Sequence, residues 1–136
     1  MKSNGLDIPR DYIASGNFTY KSGVHAGRAL LGIQNPPSAV FASNDDMAAG
    51  VVSAAHMMGF KIPDDLSVIG FDNTEMAINI WPELTTVKQP IMEMAFSSIA
   101  LLNAYIRGNK EELDRIGGLL DYELIHRESV AAPKIH

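Results

Sequence analysis

Four short clusters in this sequence carry side chains able to grip a small molecule: Asn17 with Phe18, Asn44 with Asp45, Asp72 with Asn73, and Gln89. Amide and carboxylate groups supply paired donors and acceptors that match neighbouring hydroxyls, and an aromatic ring can cover the apolar face of a sugar or base. The set suits a neutral polyhydroxylated molecule. Each member also has an ordinary structural reading: Asn44 as a helix N-cap, Asp72 as a turn former, Phe18 as part of the core. Asp45 and Asp46 are adjacent and would point about 100° apart on a helix, so they form no acid–base pair. Both read first as partners of a helix dipole.

The elements that must position these clusters alternate between strands and helices. Ser38–Ser43 reads as a buried strand, because Val40 and Phe41 favour a pleated surface and the apolar run is too short for a helix. Asn44 then caps a helix whose apolar stripe is Met47, Val51, Ala54, Ala55 and Met58, closed by Gly59 with Pro63 beyond it. Upstream, Met1–Asp7 resembles the tail of a helix ended by Gly5, and Tyr12–Ala14 is a strand candidate. Gly16, Asn17 and Phe18 turn the chain into a helix capped by Thr19, which runs to about Gly32 and stops before Pro36 and Pro37.

Downstream, Lys61–Asp65 is a turn and Leu66–Phe71 a second buried strand that ends on Asp72 and Asn73. Thr74–Trp81 is a short helix or irregular turn stopped by Pro82, and Thr85–Lys88 is a short strand ending on Gln89. Pro90 suits the first position of a helix to about Arg107, with Ile91, Met94, Ala95, Ile99, Leu102, Tyr105 and Ile106 on its apolar side. Lys110–Arg115 is a charged helical turn, Gly117 and Gly118 a joint, Leu119–Glu128 a last strand and Val130–His136 a tail. Met57, Met58, Met92 and Met94 read as gap-filling core residues. The alternation predicts an α/β fold with a mainly parallel sheet, right-handed crossovers and flanking helices. Ligands of such sheets bind beyond the carboxyl ends of the strands, where all four clusters fall.

Composition narrows the function. The 136 residues, 46% of them hydrophobic, are enough for one core, and the net charge of −5 argues against a nucleic-acid surface. There is no cysteine, and the four histidines are scattered without a metal-ligand spacing, so neither a metal site nor a cofactor is expected. The sequence holds no GxSxG, GxGxxG or phosphate loop and no activated nucleophile, so no enzyme is expected. Asn17-Phe18-Thr19 matches a glycosylation sequon, but Met1–Asn17 lacks the apolar core of a signal peptide, and no apolar stretch approaches bilayer length. A cytoplasmic location and no membrane association are expected.

Three motifs occur in order and with suitable spacing: AVFASNDDMAAGVVSAAHMMGFKIPDDLSVIGFDNT, then PELTTVKQP followed by a helix, then ELIHRESVAAP. Together they strongly resemble the effector-binding core of the lactose/galactose repressor (LacI/GalR) family of bacterial transcription regulators, over nearly the whole chain. The resemblance implies a periplasmic-binding-protein-like (type I) fold of two lobes with a small-molecule effector between them, in this family a sugar and in a minority a nucleoside or purine. It implies that Asn44, Asp72 and Gln89 face the effector and suggests Phe18 as an aromatic wall. It also implies that residues 1–88 and 119–136 belong to the second lobe, while the 91–107 helix packs into a first lobe. On this resemblance the chain is expected to be an incomplete, carboxyl-terminal part of the core, beginning after the family's upstream effector-contacting Arg. Operator DNA would be contacted only through a helix-turn-helix outside this sequence. A homodimer is expected, with the 91–107 helix hiding its stripe by self-association, and sugar binding by this chain alone is expected to be weak or absent. The competing reading is the solute-binding protein of a sugar transporter, which shares the fold.

Overall fold

The computed structural model describes residues 7–116 and 118–133. The helix tail expected in Met1–Asp7 therefore lies outside the described residues except for Asp7, as do Gly117 and residues 134–136. The chain divides into two compact units: Met1–Val87 with Leu124–His136, and Lys88–Glu123.

Four strands, β1 (Ala39–Phe41), β2 (Ser67–Phe71), β3 (Thr85–Lys88) and β4 (Glu123–Ile125), form one sheet in the order β1-β2-β3-β4. β1 and β2 pair in parallel with Phe41 opposite Ile69, and β2 and β3 pair in parallel with Phe71 opposite Val87. This register sets the residues after β1 and β2 along one edge of the sheet. β1 is shorter and less buried than the sequence suggests: Val40 points into the core, while Phe41 is 62% exposed and meets Phe71 edge-to-face at 6.4 Å. An edge strand has a neighbour on one side only, so the pleat alternation shows, where a central parallel strand would be buried on both faces.

Two other expected strands change. Arg10–Tyr12 is a single 3₁₀ turn, and no ladder partner reaches Tyr12–Ala14 among the described residues. Strand propensity without a neighbour makes extended chain and no strand. The last strand contracts from Leu119–Glu128 to Glu123–Ile125.

Helices α1 (Tyr20–Leu31) and α2 (Asp45–Met57) start and stop where local chemistry dictates. Thr19 accepts from the Ser22 amide and Asn44 from the Met47 amide, each satisfying one orphan donor of a first turn. At the end of α2, Gly59 adopts φ +85°, Phe60 N donates to Ala55 O at 2.9 Å and Gly59 N to His56 O at 3.1 Å. That is a Schellman closure, and its left-handed residue favours glycine. α1 packs on α2 through glycines: a Cβ on Gly23 would strike the Met47 backbone, and one on Gly50 would strike the backbone of Tyr20 and Val24. The core beneath them gathers Val51, Val52 and Ala55 of α2 around Leu66, Val68 and Leu84. Burying each of these larger aliphatic side chains stabilises the fold by about 1.5–3 kcal/mol. A short helix, α3 (Met76–Asn79), follows β2 and packs Ala77 into the same core.

In the second unit, α4 (Ile91–Ile106) and α5 (Lys110–Ile116) pack on each other, with Gly108 at φ +67° after α4. Only Ala104 of α4 is buried. Met92, Phe96, Ile99, Leu102 and Ile106 are all exposed and fall within about 120° of one another around the helix, so an apolar stripe lies open. Met57, Met58, Met92 and Met94 are likewise exposed and do not fill core gaps. Met57 and Met58 stand at the end of α2, where the helix closes at Gly59.

Candidate ligand-binding site

Asn44 occupies the end of β1 with its side chain shared between two elements. Its Oδ1 accepts from Met47 N at 2.9 Å, capping α2, and its Nδ2 donates to Phe18 O at 3.0 Å. The cap and the tie are both local to the mouth of the sheet. One amide hydrogen and one oxygen lone pair of Asn44 remain beyond these two bonds. The tie reaches the turn that carries Phe18, whose backbone is left-handed at φ +63° and whose side chain is 65% exposed. Phe18 is thus excluded from the core. A left-handed bulky residue costs about 1–2 kcal/mol and persists only where its surroundings fix it. Asn17 Oδ1 accepts from Thr19 Oγ1 at 2.7 Å and Asn17 N donates to Ser22 Oγ at 3.1 Å, which fix this turn to the start of α1.

Asp72 and Asn73, immediately after β2, are both left-handed, at φ +107° and +55°. Two successive non-glycine residues in that region need strong support. Asp72 N donates to Val87 O at 2.9 Å, extending the ladder towards β3, and Asn73 N approaches Thr86 Oγ1 at 3.4 Å. Arg127 Nη2 donates to Asn73 Oδ1 at 2.7 Å while Nη1 donates to Leu84 O at 2.7 Å.

The third support is Asp45, which the sequence suggests is a dipole partner at a helix start. It does stand in the first turn of α2, but it is 0% exposed and its carboxylate serves tertiary structure. Oδ2 accepts from Thr74 N at 2.6 Å and Thr74 Oγ1 at 3.1 Å, and Oδ1 accepts from Thr86 Oγ1 at 2.6 Å. Gly70 on β2 makes this possible, since a Cβ there would collide with Asp45 Oδ1 and crowd Leu84 Cδ2 at 2.7 Å. A glycine interrupting the β-branched run Ser67–Phe71 is the sequence signal for that close approach. Asp46 shares none of this and is half-buried.

Two further residues escape sequence reasoning. Ser129 is fully buried, donates from Oγ to Val68 O at 2.6 Å and accepts from Thr85 N at 2.8 Å, so one hydroxyl closes groups on two strands. Arg127 supports the site as described. Both lie in the ELIHRESVAAP motif, read from sequence only as a family mark. The structure brings Asn44 and the Phe18 backbone into contact and sets Asp72 beyond the carboxyl end of the neighbouring strand. Gln89 follows β3 directly and belongs to the second unit, where it lines a cavity of about 250 Å³ with Lys88, Pro90, Glu93, Asp121 and Tyr122. Among the described residues there is no cluster of His, Cys, Asp and Glu able to hold a metal ion. No helix among them is long and apolar enough to cross a membrane.

Comparison with known proteins gives one consistent result. A family model described as a periplasmic binding protein-like domain matches residues 1–130. The chain is 36% identical over 129 residues to catabolite control protein A of Priestia megaterium, covering 95% of this chain and 38% of that protein. It is 40% identical over 132 residues to the HTH-type transcriptional repressor CytR of Escherichia coli, covering 97% of this chain and 38% of that one. Among solved structures, a regulatory protein of the LacI family from Chloroflexus aggregans superposes with a TM-score of 0.82 at 35% identity, covering 96% of this chain and 47% of that one. A transcriptional regulator CelR–cellobiose complex superposes at 0.80 and 30% identity, covering 94% and 38%. The chain thus spans about 38% of the length of the curated relatives it matches. These relatives are of the kind that the three sequence motifs resemble.

Proposed function

The chain belongs to the periplasmic binding protein-like domain family, and from that premise we propose that it senses a small-molecule effector for a LacI-type transcription regulator. In this reading effector binding alters operator affinity, and this chain is neither an enzyme nor itself a DNA-binding surface. The observation that carries the reading is similarity to the HTH-type transcriptional repressor CytR along 97% of the chain. The net charge of −5 supports DNA contact through another segment. The relatives named above are regulators, which gives the transporter solute-binding reading no support.

The effector is assigned to the sugar class, with nucleosides and purines second. Asn44, Asp72 and Gln89 supply the polar grip and Phe18 the aromatic wall; the exposed Phe18 ring and the unused bonding capacity of Asn44 support those roles. Residues 1–88 and 119–136 make up the second lobe and the 91–107 helix belongs to the first, with the regulator acting as a cytoplasmic homodimer. An effector then works by binding one lobe arrangement better than another.

Thermal-shift measurements with cellobiose, D-glucose, D-ribose, cytidine and hypoxanthine test the assignment. At least one compound raises the melting temperature of the full-length regulator that contains this chain and fails to do so for its Asp72→Ala variant. Equal shifts in both proteins, or no shift with any compound, would reject it.

A further inference from the structure

The turn Asp72–Asn73–Thr74 is supported by three side chains that come from three different parts of the chain, and none of them is among the residues assigned to ligand contact. Asp45, at the start of α2, takes both donors of Thr74 on one carboxylate oxygen. Thr86, on β3 and fully buried, donates to the other oxygen of Asp45 while its own oxygen faces Asn73 N. Arg127, after β4, spans from Leu84 O to Asn73 Oδ1 with its two terminal nitrogens. The turn so held is the one with two successive left-handed non-glycine residues. An unsupported chain would leave that conformation readily.

We infer that Asp45, Thr86 and Arg127 are positioning residues that hold Asp72 in its ligand-ready conformation. This deepens, and rests on, the assignment of Asp72 to the effector site. The same carboxylate also links the two halves of that site: Asp45 immediately follows Asn44 in the chain, so the cap of α2 and the turn after β2 are fixed to each other through one buried group. Thr86 immediately precedes Val87, where the chain leaves the first unit, and Arg127 follows Leu124, where it returns. The turn is therefore braced by both segments adjoining those passes.

Amide hydrogen exchange on the wild-type chain and on Thr86→Val, Thr86→Ser and Arg127→Lys decides the inference without any ligand. Thr86→Val keeps shape and removes the hydroxyl, Thr86→Ser restores it, and Arg127→Lys keeps charge and loses the two-pronged span. Exchange at Thr74 N–H is expected to rise about tenfold or more in Thr86→Val and Arg127→Lys and to return to within about twofold of wild type in Thr86→Ser. The amides of Val51 and Val52 in α2 stay unchanged. Equal acceleration at Thr74, Val51 and Val52 would show general loss of stability and overturn the inference, as would wild-type exchange at Thr74 in both disruptive variants. Titration of the full-length regulator that contains this chain with cellobiose and cytidine forms a separate arm: if neither binds, the effector assignment fails while the exchange pattern still decides whether these residues position the turn.

Discussion

Asn44 Nδ2 donates to Phe18 O at 3.0 Å across 26 residues of chain, while the same side chain caps α2 through Oδ1. One amide thus joins the end of β1 to the loop before α1. Replacing Asn44 with Ala should cost about 1 kcal/mol for the lost cap, plus the tie to Phe18. Asn44→Ser keeps a cap acceptor and sets no second acceptor against Phe18 O, so it should destabilise less than Ala. Urea unfolding midpoints of the three proteins check the order, which fails if Ser costs as much as Ala.

Asp45→Asn preserves shape but turns an acceptor into a donor facing Thr74 or Thr86, whichever way the amide is rotated. With an orphaned hydrogen-bonding group in a buried site, the loss should be about 3 kcal/mol. Asp46→Asn should change stability by less than about 0.5 kcal/mol. Chemical denaturation of the two variants separates a tertiary role from a dipole role, since a dipole effect would make them similar.

Gly70→Ala should be destabilising by about 1–3 kcal/mol, because the added methyl must displace Asp45 and Leu84. Its exchange signature should centre on Thr74 and Thr86. A neutral result in thermal unfolding would mean that β2 and α2 separate more easily than their packing implies.

Ser129→Ala leaves Val68 O and Thr85 N without their partner in a dry setting, and about 2 kcal/mol of stability should go with it. Ser129→Thr offers the same hydroxyl with an extra methyl, so it tests how tightly the site is packed. Differential scanning calorimetry reads both.

The exposed residues Phe96, Ile99 and Leu102 on α4 should drive self-association. Sedimentation at increasing concentration should show a dimer that Ile99→Glu weakens by at least tenfold, a loss of about 1.4 kcal/mol. Concentration-independent monomer in the wild type would remove α4 as the dimer surface.

Where a structural decision is local, sequence alone located it. Thr19 and Asn44 cap the helices they were expected to cap, Gly59 closes α2, and β3 spans Thr85–Lys88 as read. Each depends on a few neighbouring residues. Asp45 shows the opposite case: its partners lie 29 and 41 residues away, and nothing in the local ND pair distinguishes a buried clamp from a helix-start charge. The buried reading of β1 missed because edge or centre is a property of sheet order, which three residues do not encode. Tyr12–Ala14 shows that strand propensity needs a neighbour to act on. The clusters at Asn44 and Asp72 fall together because parallel sheets present the ends of their strands together, a rule of topology that sequence alternation already implies, whereas Phe18 follows no strand among the described residues and is joined to Asn44 through its backbone carbonyl.

The bond from Ser129 Oγ to Val68 O joins residues 61 apart, and this has a consequence for how the protein is made. Translation proceeds at about 5–20 residues per second, so β2 leaves the peptidyl-transferase centre roughly 3 to 12 seconds before its partner exists. Until then Val68 O, and Thr85 N once it is made, lack the hydroxyl that joins them at the start of the β2–β3 ladder. Ser129 supplies it late, and ribosome-stalled chains ending before residue 129 should stay sensitive to protease at β2 after the helices α1 and α2 have become resistant.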